Sequence, residues 1–156
     1  MKTTIAAGIF AIAVMFAGNA SAQTLDGIVA NGSCTPKVGD DVEVAVHTPR
    51  NNDPSIGQRS GVKYLLVTVI QGGQRAGTSI KGGRRTTLMY ESDQKTLDAL
   101  VKSLGGKGGA KIGMAKITKV DGSLQFGKRD KVKVTVGTGG NDTVTIVGKG
   151  SFVFKG

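Results

Sequence analysis

Cysteine and histidine are almost missing from this chain of 156 residues, because each occurs once, as Cys34 and His47. A single cysteine excludes an intrachain disulfide, so packing and hydrogen bonding must stabilise the fold. Structural zinc sites use about four protein ligands, mainly Cys and His, and we therefore predict no metal site. Cys34 itself is expected either to be a small buried residue or to pair between two chains.

The shortage of histidine also limits the catalytic chemistry that the chain offers. A serine–histidine–aspartate triad would have to use His47. That residue continues an alternating run on the face opposite Val42, Val44 and Val46, where a solvated histidine is the simpler interpretation. The sequence therefore predicts a protein that is not an enzyme and needs no cofactor.

Aromatic residues are scarce as well: the chain has no tryptophan, two tyrosines and five phenylalanines. None of them is interleaved with the basic residues of the second half of the chain. Binding of single-stranded nucleic acid usually adds aromatic side chains that stack on the bases. Specific nucleic-acid binding and a stacking type of sugar site are therefore disfavoured.

The sequence contains one long apolar run, from Ile5 to Ala17, and it lies close to the start. Lys2 precedes this run, and the small residues Ala20-Ser21-Ala22 follow it. A basic start, a short apolar segment and an Ala-x-Ala ending are typical of a cleaved secretory signal. We predict a signal peptide over residues 1–22, one domain over residues 23–156 with no transmembrane segment, and a periplasmic or secreted location.

Charge is unevenly distributed along the chain, whose formal net charge is +10. The stretch from Gln23 to Ile56 has two basic and five acidic residues, whereas the rest of the chain from Gly57 has 18 basic and six acidic residues. This asymmetry favours anionic partners, namely anionic polymers or lipid head groups. The alternative is that the charge only keeps a small exported domain in solution.

Short alternating segments separated by glycine and asparagine dominate the second half of the chain and predict strands. We predict a mainly β fold, a single sandwich or partly open barrel of about seven to nine short antiparallel strands. The strand candidates are residues 42–47, 62–70, 78–81, 84–90, 116–120, 123–127, 131–136, 143–147 and 151–155.

Three further local predictions complete the fold. Leu97, Leu100, Val101 and Leu104 have helical spacing, so one amphipathic helix is expected over residues 93–104, with its leucines against a sheet. Gln23 to Lys37 has no clear period and is interpreted as a loose segment. Asp121-Gly122 predicts a two-residue hairpin turn that would set Ile117 opposite Phe126 and Lys119 opposite Leu124.

Two other candidate sites are better explained structurally. Paired carboxylates are nominally available in two clusters, Asp40, Asp41 and Glu43, and Glu91 with Asp93. Both clusters stand at element edges, where acids commonly cap helices or remain solvated. The glycine-rich stretches 77–84 and 105–109 lack the Lys-Ser/Thr ending or the following helix that a phosphate loop requires.

Basic residues form the strongest candidate site. Lys131 and Lys133 alternate with Val132 and Val134, so the two lysines share an outward face if the valines are buried. The predicted polyanion-binding residues are Arg84, Arg85, Lys128, Arg129, Lys131 and Lys133. Lysines on strands also protect sheet edges from aggregation, which is the structural alternative.

Two functions are therefore expected. The first is a small exported, non-enzymatic binding module whose basic face contacts anionic surface or extracellular polymers. The alternative is a structural or accessory subunit of a cell-surface assembly that is joined through edge strands. For the final segment Phe152-Val153-Phe154, a last core strand is favoured over a strand that pairs with a neighbouring subunit.

Overall fold

The computed structural model of the protein describes residues 22–103, 111–137 and 144–155. Nearly all of the predicted signal peptide lies outside these residues, as do Leu104 and the glycine-rich stretch 105–109. The strands are β1 (Ala22–Asn31), β2 (Asp41–His47), β3 (Tyr64–Gln71), β4 (Gln74–Ala76), β5 (Ser79–Lys81), β6 (Arg84–Glu91), β7 (Lys111–Gly122), β8 (Lys131–Gly137), β9 (Val144–Val147) and β10 (Gly150–Lys155). The helix α1 is Gln94–Ser103, and Pro54–Ile56 forms one 3₁₀ turn.

Eight of these strands form a closed antiparallel barrel in the order β1-β6-β3-β2-β7-β10-β9-β8. Pairing of β8 with β1 closes the barrel, with Leu25 opposite Val134. Strands β4 and β5 form a separate two-stranded ribbon. The prediction of a mainly β fold with one helix is confirmed, and of the two architectures expected, a sandwich or a partly open barrel, the structure has a barrel, which is closed. Among the described residues, no helix combines the length and the hydropathy that crossing a bilayer requires.

The interpretation of residues 23–37 as a loose segment is wrong for residues 23–31, because β1 pairs with β6 on one side and β8 on the other. Leu25, Gly27 and Val29 face inward. Because the middle one is a glycine, the sequence does not show the alternation of apolar residues that is typical of a strand. Gly27 is required there, because a Cβ would overlap the Tyr90 ring and the Met89 carbonyl. The missing side chain leaves room for the Tyr90 ring in the barrel interior.

Inward-facing aliphatic and aromatic side chains fill the barrel. The predicted alternation in β8 is confirmed, since Val132, Val134 and Val136 are all buried. Phe152 and Phe154 are buried too, and the Phe152 ring meets Phe126 edge to face with centroids 5.8 Å apart. The final strand therefore belongs to the core, as favoured from its sequence.

Strand β3 is buried on its inner face and partly covered on its outer face, which suits its nearly continuous apolar sequence. Leu65, Val67 and Val69 belong to the barrel interior. On the outer face, Tyr64 is buried with Met89 and the partly buried Ile56 in a second, smaller apolar cluster. The loop between β2 and β3 thus covers part of the barrel's outer surface.

The predicted hairpin turn at Asp121-Gly122 is wrong, because β7 continues through both residues and pairs with β10. Gly122 has a left-handed φ of 73° and lies opposite Gly150 at the end of this pairing. Phe126 bonds instead to Cys34, by N–H···O contacts of 2.8 and 3.0 Å. The two glycines let the backbones of β7 and β10 approach closely, so the pairing of these strands continues to Gly122. Residues 123–130 then form the segment that connects β7 to β8.

Helix α1 begins as predicted, with Asp93 as its cap. The Asp93 carboxylate accepts hydrogen bonds from the Thr96 N–H at 2.8 Å and the Thr96 hydroxyl at 2.9 Å. These bonds hold the pKa of this carboxyl below its usual value. Leu97 and Val101 are buried, and Leu97 joins the barrel's interior cluster. The helix therefore packs over the end of the barrel at which β6 finishes.

Candidate anion-binding groove

Arg84 and Arg85 lie at the start of β6, where they contact other parts of the chain. Arg85 donates to the Glu43 carboxylate at 3.2 Å and to the Ile80 carbonyl at 2.6 Å. Arg84 donates to the Gln71 side chain at 3.4 Å. Since Ile80 belongs to β5, the Arg85 contacts connect the ribbon to the barrel wall.

Lys131 and Lys133 lie on the outer face of β8, and both are exposed. Lys128 and Arg129 are exposed in the segment that leads into this strand. Pairing of Lys133 with Val147 brings the turn that contains Lys149 alongside. We call Lys128, Arg129, Lys131, Lys133 and Lys149 the basic cluster.

The structure brings four of the six predicted residues together and sets Arg84 and Arg85 apart. Strand β1 lies between β8 and β6, with Lys131 opposite Ile28 and Ile28 opposite Met89. Arg84 is a further five residues along β6 from Met89, about 16 Å at the usual rise of a strand. The arginine pair and the basic cluster are thus separate patches of the surface.

An open groove of about 1320 Å³ lies beside β8, between residues 123–130 and the turn after β9. Val147, the last residue of β9, pairs with Lys133 of β8. Lys131 and Val132 therefore extend past the end of β9, and the groove lies beside them. Its charged lining residues are Asp26, Asp130, Lys131, Lys133 and Lys149, and its apolar ones include Ile28, Phe126, Val132 and Val147. Val147 is 42% exposed, which is unusual for a large apolar residue of this protein.

Backbone hydrogen bonds fix the wall of this groove. The Arg129 N–H donates to the Val29 carbonyl at 2.8 Å, and the Val29 N–H donates to the Asp130 carbonyl at 2.9 Å. The Asp130 carboxylate in turn accepts from the Gly127 N–H at 2.7 Å. The segment is therefore anchored to β1 immediately before β8 begins.

Arg129 is the one non-glycine residue with a positive φ, 73°, in the described part of the chain. This conformation costs an L-residue about 1–2 kcal/mol, whereas glycine adopts it freely but loses more entropy on folding. We expect Arg129→Gly to raise the free energy of unfolding by about 0.5–1 kcal/mol and to weaken anion binding at the same time. Urea denaturation and a binding titration of the same variant test this, and a destabilised Arg129→Gly would contradict it.

A second groove of about 410 Å³ continues the first across β1 and β6. Asp26, Gly27 and Ile28 line both grooves. The remaining lining residues of the second are residues 54–57, Tyr64, Met89, Glu91 and Arg129. The two grooves form one path that runs across the strands from β9 to β6.

The charges change along this path. At the β8 end, Lys133 is 3.5 Å from Asp26, but both side chains are largely exposed, so this ion pair contributes little. Among the described residues, Lys131 and Lys149 have no acidic partner within 4.0 Å. At the β6 end, Glu91 pairs with Arg59. Positive charge is therefore concentrated at the β8 end, which three lysines line, whereas in the described part of the chain Arg129 is the one basic residue that lines the second groove.

The nominal carboxylate clusters do not form a pair, because they stand at opposite ends of β2, β3 and β6. Asp41 is buried at the start of β2, 2.9 Å from Arg75 and 3.5 Å from Lys116. Glu91 ends β6, which runs antiparallel to β3 and away from that site. The acids on β2 and at the end of β6 act in ion pairs, and Asp93 caps α1.

The two remaining reactive residues have structural positions. Cys34 is buried at 7% exposure, and burial raises the pKa of its thiol, although a hydrogen bond with Thr86 opposes this rise. This burial favours a small packed residue over pairing between chains. His47 is half-buried at the end of β2, on the face opposite the valines.

Sequence reasoning missed Lys149 and the β1 residues that line the groove. Lys149 is separated from the other residues of the basic cluster by 16 or more positions, and the pairing of β9 with β8 brings it close to them. Comparisons of the chain with protein-family models, curated proteins and solved structures found no match.

Proposed function

We propose that the protein is an exported, non-enzymatic binding module that holds an anionic ligand at the basic cluster. The observation that carries this proposal is the position of Lys131, Lys133 and Lys149 around one open groove. Arg129 lines the adjoining second groove, and the exposed Lys128 precedes it in the chain. An anionic polymer or a lipid head group has the complementary charge.

The barrel supports this role because it provides a rigid base. Val132 and Val134, which alternate with Lys131 and Lys133 in sequence, are buried in the core. The backbone of β8 pairs with β1 along its whole length and with β9 from Lys133 onward. Exposed lysines near an anionic surface contribute about 1 kcal/mol each, so a cluster of this size supports binding in dilute salt.

The alternative, assembly through edge strands, has less support from the geometry. Each of the eight barrel strands has a neighbour on both sides, and barrel closure removes free edges. Of the described strands, β4 and β5 alone keep an open side, and each has three residues. Light scattering of the purified protein separates the two functions, because assembly requires oligomers that grow with concentration.

The proposal is tested by titrating the protein with heparin, a polyanion, and with phosphate-headed amphiphiles at 20 mM and 200 mM salt. Binding that releases counterions weakens steeply with salt, so three neutralised charges predict a loss of about 10²-fold or more over this range. The absence of binding to every anionic probe at 20 mM salt would overturn the proposal.

A further inference from the structure

The charge is distributed unevenly along the path formed by the two grooves, and this limits how the charge of a ligand can be distributed. Lys131, Lys133 and Lys149 line the β8 end. The β6 end contains Arg129 and Glu91, which pairs with Arg59, and it shares Asp26 with the first groove. Three lysines line one end of the path and one arginine lines the other, so a ligand whose negative charge lies at one end matches this distribution better than a polymer charged on every unit.

The β6 end of the path is mainly apolar. Its apolar lining residues include Ile28, Ile56, Tyr64 and Met89, of which Tyr64 and Met89 are buried. These residues belong to the small apolar cluster outside the barrel, in which Ile28 and Ile56 are only partly buried. Part of this cluster therefore remains available to cover an apolar segment of a ligand.

The two ends are joined over a distance that suits an elongated molecule. From Val147 on β9 the path crosses β8 and β1 before it reaches Met89 on β6. Three steps between neighbouring strands correspond to about 14 Å. Ile28 lies in the middle of the path and lines both grooves.

We infer that the ligand is an anionic amphiphile, a lipid with one phosphate head group. Lys131, Lys133 and Lys149 hold the phosphate, since lysine acts as a point charge toward phosphate. The apolar tail lies across Ile28 and Met89 toward the 3₁₀ turn. This inference rests on the proposed function and specifies the ligand class for the same site.

The first test uses the wild-type protein and a series of probes below their micelle-forming concentrations: inorganic phosphate, butyl phosphate, octyl phosphate and dodecyl phosphate. Each buried methylene strengthens binding by up to about fourfold. We expect affinity to rise about 30-fold or more from butyl to dodecyl phosphate, and the uncharged dodecyl maltoside to bind far more weakly than dodecyl phosphate.

The second test replaces one residue of the tail path. Ile28→Thr keeps the β-branched shape but removes apolar surface, and it should weaken dodecyl phosphate about tenfold while leaving inorganic phosphate and heparin unchanged. Val153→Thr is the matched control, because Val153 is equally half-buried on a strand that does not line the grooves. It should leave the affinity for every probe unchanged.

The outcomes separate this inference from the proposed function. If heparin binds but affinity is independent of tail length, the amphiphile inference is overturned and the binding module stands. If no anionic probe binds, both are overturned. A loss in Ile28→Thr that is the same for dodecyl phosphate and inorganic phosphate would also contradict a tail lying across Ile28.

Discussion

Replacing both Lys131 and Lys133 with glutamate should lower the affinity for dodecyl phosphate or heparin by about 10³-fold at 20 mM salt. The change removes two positive charges and adds two negative ones on the outer face of β8, at about 1 kcal/mol for each unit of charge. Neither lysine contributes to the core, so the barrel should fold normally. Titration calorimetry and thermal denaturation of the same sample measure both properties.

The matched control is the double variant Lys81→Glu with Lys155→Glu. Both lysines are exposed and neither lines the groove, so the net charge changes equally while the groove stays intact. We expect a much smaller loss of affinity, which arises only from the weaker overall field. Equal losses in the two double variants would show that net charge, and no local site, attracts the ligand.

Tyr90→Phe should stabilise the protein by about 1–3 kcal/mol at neutral pH. The Tyr90 ring fills the interior beside Gly27, and its hydroxyl is buried without a hydrogen-bond partner among the described residues. A buried hydroxyl that has lost water and gained no partner costs about this much, and phenylalanine keeps the ring. Urea denaturation compares the two proteins.

The same substitution should change the alkaline limb of the stability curve. Burial raises the pKa of the Tyr90 phenol far above its usual value near 10. Above pH 10 the unfolded chain therefore releases this proton while the folded protein keeps it. The wild-type free energy of unfolding then falls with rising pH, by about 1.4 kcal/mol per pH unit from this group. Tyr90→Phe should lack this component.

Tyr64 supplies the control, because it is the other tyrosine of the chain and its hydroxyl is bonded. That hydroxyl accepts from the Arg59 N–H at 2.9 Å and donates to the Gly57 carbonyl at 3.4 Å. Tyr64→Phe should therefore destabilise the protein by about 1 kcal/mol. Effects of the same sign in the two variants would contradict this account of the core.

The elements that sequence analysis predicted correctly have a clear period. In β8 the valines alternate with polar residues, and in β2 they alternate with Glu43 and Ala45. In α1, Leu97 and Val101 have helical spacing after the capping residue Asp93. Strand β1 was missed because Gly27 occupies an inward position that the Tyr90 ring fills from the neighbouring strand. The local sequence pattern cannot reveal that a side chain of one strand occupies the space beside a glycine of the neighbouring strand.

The candidate site was predictable only in part, for a related reason. Alternation places Lys131 and Lys133 on one face, and sequence proximity adds Lys128 and Arg129. The distance of Arg84 and Arg85 from this face depends on strand order, since β1 separates β6 from β8. Lys149 joins the cluster through the pairing of β9 with β8. Strand order and register are set by long-range packing.

The most direct test of the groove as the binding site is an amide chemical-shift titration of the protein with dodecyl phosphate at 20 mM salt. The account predicts the largest shifts at residues 26–28, 129–133 and 147–149, with little change at Arg84 and Arg85. Largest shifts around Arg84 and Arg85, or small shifts spread evenly over the barrel, would contradict it.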